Sequence, residues 1–296
     1  MIRIDAAIIG AEKAGTSALG NYIAMHPDVV SHFGGGEKKG GVLEFSTFVN
    51  GRCNDEKAFA SDYKSAFGAL SFSGKIVVAK NVSLINSEVG LDNVKRFCPD
   101  CKIIIIVRNP VERAYSSFFY QKFRGEETLD GFLEAVEREL SGGADDLSIE
   151  RRYLARGYYA DQIESVYKRF SKERVLVLLY EDMKQDPQHL MDRVFSFLNL
   201  SPYKISNFEK INEAKSARSE RLARYLHGHG VVKSMFRLVT SVRLREKILY
   251  ALRRLNSRPL ERNKIDSALS ERLSKHFSPE NKKLEDLTGL DLKDWK

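Results

Sequence analysis

Short apolar runs alternate with longer amphipathic stretches over the first two thirds of the chain. "AAIIG", residues 6–10, is apolar and leads into a glycine-bearing turn, which predicts a buried strand. "TSALGNYIAMH" follows with helical spacing and is stopped by Pro27. "KIVVAK", residues 75–80, predicts a second buried strand. "NSEVGLDNVKRF" reads as a helix capped by Asn86 or Ser87. "KIIIIV", residues 102–107, is the strongest strand signal; its five consecutive β-branched residues suit a central strand covered on both faces. "NPVERAYSSFFYQKF" reads as a helix with Asn109 at the cap and Pro110 at the first helical position. "RVLVLLYEDM" predicts a fourth strand, and "FSFLNL" ends another helix. Beyond Lys215 the pattern is helical throughout. Residues 31–56, with "GGGEKKGG", predict a flexible surface loop. There is no internal repeat or low-complexity tract.

Such alternation predicts βαβ units. The expected fold class is α/β: a P-loop-type three-layer fold, with a mostly parallel central sheet flanked by helices and a basic helical C-terminal region. The 296 residues suffice for one large α/β domain or two small ones. We read a single domain over 1–296, with 31–56 as a loop and 215–262 as a basic helical insertion or lid.

The chain is 43% hydrophobic and 30% charged, so it can bury a core and stay soluble. No apolar run approaches the ~20 residues that span a bilayer. The N-terminus opens on the strand-like "IDAAIIG" without a basic n-region and apolar h-region. A cytoplasmic protein is expected, with peripheral membrane attachment also compatible. The net charge of +8 is uneven: residues 215–262 hold 13 Lys/Arg against three Glu, a local +10 that leaves −2 for the rest. Of the three cysteines, Cys53, Cys98 and Cys101, the last two form "CPDC". That pair precedes a strand instead of opening a helix, so a turn with two incidental thiols is expected over a redox site. No second Cys or His pair offers a zinc site.

The candidate chemistry starts at "GAEKAGTSALG". Gly10 and Gly15 have the spacing of a phosphate-cradling loop, but Thr16 and Ser17 follow directly and the lysine sits inside the turn, at Lys13. A strand, a turn and a helix start gather backbone N–H groups and a helix dipole at one point, which binds an anion. An ordinary strand-to-helix turn would leave the same pattern. The absent lysine after the second glycine, and the lack of a strand-ending aspartate for magnesium, argue against ATP or GTP hydrolysis. Arg108 ends the strongest strand, where ligands bind in open α/β sheets, and Ser116 lies eight residues on in the next helix. An arginine fork and a serine hydroxyl can share one phosphate. Lys80 ends another buried strand on the same sheet edge. Each cation alone could be a solvated surface group; three at strand ends of one crevice favour an anionic ligand.

These residues make the chain resemble a known family. "GAEKAGTSAL" is similar to the 5′-phosphosulfate loop of sulfotransferases that use 3′-phosphoadenosine-5′-phosphosulfate (PAPS), and "RNPVERAYSSF" to their 3′-phosphate motif. The pattern resembles the heparan-sulfate and bacterial carbohydrate sulfotransferase group, and extends through "RGYYADQIESVYKRF", "RVLVLLYEDMKQDP" and "LSKHFSPENKKLEDLTGLDLKDW". The resemblance implies that Lys13, Ala14, Gly15, Thr16 and Ser17 hold the 5′-phosphosulfate, and that Arg108 and Ser116 hold the 3′-phosphate. It implies that Lys80 lies near the transferring sulfuryl group, although "KNVSL" lacks the proline and tyrosine of the family's "K-[ST]-P-x-Y". The acid/base glutamate maps to Glu44 in "LEFSTF", where the family's neighbouring lysine and histidine are missing. A late cofactor-covering loop is echoed by "NEAKSARSER", which gives Arg218.

The implied reaction is in-line transfer of a sulfuryl group from PAPS to a hydroxyl or amine of a carbohydrate-like, small-molecule or lipid-linked acceptor. Lys13, Lys80 and Glu44 would be the catalytic residues, and the scheme requires no metal. His32 is a rival base. His26 reads as a helix-ending residue, and His227 and His229 as a turn. The apolar spacing within residues 230–256 suits a surface helix, a lid over an anionic acceptor, or a membrane contact. Two other functions compete. A P-loop kinase or NTPase would bind ATP with magnesium. A nucleic-acid module would interleave aromatics with the basic residues, and only Tyr225, Phe236 and Tyr250 are available there; no nucleic-acid partner is expected.

Overall fold

Uninterrupted β-branched and aliphatic runs build the sheet. In the computed structural model, which describes residues 3–31, 46–49, 55–67, 74–208, 215–219, 222–223, 251–252, 255–259 and 265–295, five parallel strands pair in the order β2-β3-β1-β4-β5. They are β1 (Ala6–Gly10), β2 (Val29–Ser31), β3 (Ile76–Lys80), β4 (Lys102–Val107) and β5 (Val175–Leu179). Ile103 to Val107 are each 0% exposed, as a strand covered on both faces requires. The helices of this part are α1 (Thr16–Ile23), α2 (Glu56–Phe67), α3 (Glu88–Phe97), α6 (Tyr159–Tyr167), α7 (Tyr180–Gln185) and α8 (Pro187–Phe197). The α/β fold class read from the sequence is the observed one: a parallel sheet flanked by helices.

The contacts divide the chain into two compact units. The first comprises Met1–Asn109, Tyr158–Asn212 and Ser278–Trp295; it contains the whole sheet and a continuous apolar core running from Ile4 to Trp295. The second comprises Pro110–Gly157 and Glu213–Phe277, with Lys296. It holds α4 (Pro110–Arg124) and α5 (Phe132–Leu140), packed through Phe118, Phe132 and Tyr153. The long helix α9 (Ser267–Thr288) contributes residues to each unit.

Helix starts follow local chemistry. Ser87 caps α3, accepting the Gly90 N–H at 3.0 Å, so of the two expected caps the serine serves. Pro110 opens α4, where its missing N–H costs nothing.

Two expectations are corrected. The strand expected over "RVLVLLYEDM" ends at Leu179, and α7 begins at Tyr180; past the apolar run, nothing favours further pairing. The region after Lys215 is not helical throughout. Lys215–Ala217 (β6) and Ser257–Pro259 (β7) pair antiparallel within the second unit. Strands of three residues leave no periodicity to read.

Candidate active site

The site grows from the way β1 ends. At Gly10 an added Cβ would come within 2.7 Å of Ile85 Cγ2, so only glycine lets the strand pass that side chain. The chain then turns sharply. The Ala11 N–H donates to the Ile106 carbonyl at 2.7 Å, tying the turn to β4. Lys13 and Gly15 take left-handed backbone, with φ of 67° and 92°. Gly15 is required twice over: its φ disfavours any side chain, and a Cβ there would meet Met183 Cε at 2.6 Å and Tyr180 Cδ2 at 2.8 Å. Helix α1 starts at the next residue. Helix geometry leaves the amides of its first turn, Thr16 to Ala18, to seek an acceptor outside the helix.

The strand order places β3 and β4 on either side of β1. The chain leaves β1 toward β2 and β3 and later crosses to β4, so the carboxyl end of β1 is the topological switch point where open parallel sheets bind ligands. Lys80, the last residue of β3, is 4% exposed, and its Nζ donates to Ser17 Oγ at 3.4 Å. Arg108, just past β4, is 9% exposed, and its Nη1 donates to the Lys13 carbonyl at 3.5 Å. Its guanidinium lies 4.8 Å from the Tyr180 ring centroid. Two buried cations thus touch the turn, Lys80 at the helix start and Arg108 at the lysine within it. Burying such charges is costly without compensation. Together with the helix N-terminus they gather positive charge around one turn, an arrangement that suits an anionic ligand.

The structure therefore brings together Lys13, Ala14, Gly15, Thr16, Ser17, Lys80 and Arg108. Ser116 belongs to the second unit, where it is buried on α4. Arg218 is also in the second unit, exposed just after β6, its backbone N–H bonded to the Asn256 carbonyl at 2.7 Å. Glu44, His32, His227, His229, Tyr225, Phe236, Tyr250 and most of 230–256 lie outside the described residues. His26 is buried in a turn after α1; its Nδ1 accepts the Asp28 N–H and its Nε2 bonds the Ser201 carbonyl. In "CPDC", burial pushes the Cys98 thiol up to about 11 and raises Cys101 as well. Both are buried and free, which fits the turn reading and not a reactive pair.

Sequence reasoning missed Tyr180, Glu181 and Tyr159. Tyr180 follows Leu179 of β5 as Arg108 follows Val107 of β4, and Val107 and Leu179 are register partners. Both residues follow a strand at the same end of the sheet, but no breaker follows the β5 run and the strand reading ran on through Tyr180.

A family description for the sulfotransferase domain matches residues 3–287. The mouse (Mus musculus) bifunctional heparan sulfate N-deacetylase/N-sulfotransferase 1 is 30% identical over 200 residues, 66% of this chain and 22% of the relative. The mouse N-deacetylase/N-sulfotransferase 4 is 28% identical over 199 residues, with the same shares. The match thus spans about a fifth of those relatives' length, 22%. In fold, the chain is similar to a sulfotransferase from Alicyclobacillus acidocaldarius, with a TM-score of 0.68 over 100% of this chain and 99% of that one at 22% identity. With its strand-end cations and its glycine-dependent β1–α1 turn, the chain belongs to the sulfotransferase domain family.

Proposed function

We propose that the protein transfers a sulfuryl group from PAPS to a hydroxyl or amine of a carbohydrate-like acceptor. The observation that carries this reading is the pair of cation contacts on one turn, Lys80 to Ser17 and Arg108 to the Lys13 carbonyl. The residues suit the donor: α1 amides and Lys13 for the phosphosulfate, an arginine fork for a second phosphate, and the Tyr180 face beside that fork for a flat base. When bound, the donor supplies an activated sulfuryl group on a phosphate leaving group.

The chain's own groups then do electrostatic work. Lys13 and the first-turn amides neutralise negative charge as it builds on the leaving phosphate. Lys80, held by Ser17, supplies a positive charge at the carboxyl end of β3 for the sulfuryl oxygens. A base removes the acceptor's proton; Glu44 is our candidate and His32 its rival, and such a group typically adds ~10²–10⁴-fold in rate. The glycan class rests on relatives named for heparan sulfate N-sulfation. The kinase alternative is disfavoured because Thr16 stands where a nucleotide-triphosphate loop needs lysine.

Calorimetry tests the donor. Adenosine 3′,5′-bisphosphate should bind without magnesium and far more tightly than ATP. Tighter, magnesium-dependent ATP binding would favour the kinase reading instead.

A further inference from the structure

Arg108 and Asn109 share one peptide unit, and both of its polar atoms are held by side chains from other elements. The Arg108 carbonyl accepts the Tyr159 hydroxyl at 2.9 Å. The Asn109 N–H donates to Glu181 Oε1 at 3.2 Å. The reason lies in how the sheet stops. The β4–β5 ladder ends at Val107 and Leu179, because β5 curls into α7 at Tyr180 and withdraws its backbone acceptors. Glu181, on that first turn, offers a carboxylate oxygen in their place. Tyr159 opens α6, and its own placement is braced. The next residue's N–H, from Ala160, donates to the buried Glu280 carboxylate at 2.9 Å, and the Trp295 ring lies 6.1 Å from the Tyr159 ring.

We propose that Tyr159 and Glu181 are positioning residues for Arg108. They fix the plane of the Arg108–Asn109 peptide, and with it the direction in which the guanidinium leaves β4 toward Tyr180 and the β1–α1 turn. Neither residue touches the donor in this assignment; they act through Arg108. The inference rests on the reading of Arg108 as a phosphate contact.

The test is a double-mutant cycle read by calorimetry with adenosine 3′,5′-bisphosphate. Tyr159→Phe keeps the ring against Trp295 and removes only the hydroxyl; Glu181→Leu removes the acceptor, and Glu181→Gln retains one. Tyr159→Phe and Glu181→Leu should each weaken binding about tenfold, Glu181→Gln should recover most of the loss, and neither should weaken it further in an Arg108→Ala background. Unchanged affinity in both single variants, or losses that add to that of Arg108→Ala, would overturn the proposal. A second readout needs no donor: amide exchange at Asn109 should quicken at least tenfold in Glu181→Leu and stay unchanged in Arg108→Ala. Unaltered exchange in Glu181→Leu would overturn the clamp itself. A wild-type protein that ignores the bisphosphate but shows the exchange effect would refute the reading of the site and leave the clamp standing.

Discussion

The Lys80 ammonium donates to the Ser17 hydroxyl at 3.4 Å, joining the carboxyl end of β3 to the first turn of α1. A lysine that is 4% exposed is held at the point where helix amides also gather. Charge there is little screened, so in the proposed reaction its effect on a developing oxyanion should exceed that of a surface lysine. Replacing Lys80 with Met should lower kcat by about 10²–10³-fold, while donor-product affinity changes little. Steady-state kinetics paired with calorimetry separates the two effects.

Lys13 stands nearest the leaving phosphate in the proposed reaction. Lys13→Ala should lose ~10²-fold or more in turnover. A variant with wild-type turnover would remove Lys13 from the mechanism.

Gly15 tests the turn itself. Gly15→Ala forces a side chain into φ of 92° and against Met183 and Tyr180. The cost should be about 1–3 kcal/mol, read as a lower melting temperature together with weakened bisphosphate binding. A variant that melts and binds like wild type would show that the turn relaxes freely.

Strand ends were legible in the sequence because apolar runs are readable and a charge that closes one stands out, as Lys80 and Arg108 do. Tyr180 and Glu181 were not, since no breaker separates the β5 run from α7 and the strand reading ran on through them. The hydrogen bond from Tyr159 to Arg108 joins residues 51 apart in sequence, and no local spacing encodes it. The three-residue strands β2, β6 and β7 are too short for periodicity to show. The left-handed conformations at Lys13 and Gly15 were not legible, because the residue before a helix is ordinarily extended and lysine seldom adopts a positive φ.

In the second unit, Glu127 is a buried hub. It accepts from Arg138 Nη2 at 2.9 Å, from the Tyr153 hydroxyl at 2.8 Å and from the Leu129 N–H at 3.0 Å. Burial by itself would raise its carboxyl pKa; the Arg138 bonds, the Leu129 amide and the Tyr153 hydroxyl outweigh burial and hold it below the ordinary value. A carboxyl depressed in the folded state stabilises above its unfolded pKa, and that stability fades as pH falls through the folded value. Arg138→Met should therefore cost about 3 kcal/mol at neutral pH. The gap from wild type should narrow on acidification below the ordinary glutamate range. Urea unfolding across pH measures it, and a gap independent of pH would contradict the assignment.

Cys98 and Cys101 should resist alkylation in the folded protein. Burial lifts the Cys98 thiol to about 11 and Cys101 upward too, so the reactive thiolate is scarce near neutrality. Mass-spectrometric labelling should find both modified quickly only after denaturation. Rapid labelling of either in the native protein would reopen a redox role.

The most direct measurement is sulfuryl transfer itself. Radiolabelled PAPS is incubated with amine- and hydroxyl-bearing glycans, and adenosine 3′,5′-bisphosphate release is followed alongside. Label should pass to a glycan in step with bisphosphate release, and both should collapse in Arg108→Ala and Lys80→Met. Transfer that survives both substitutions, or a donor left intact beside every glycan while ATP is consumed, would contradict the assignment of this sheet edge to sulfuryl transfer.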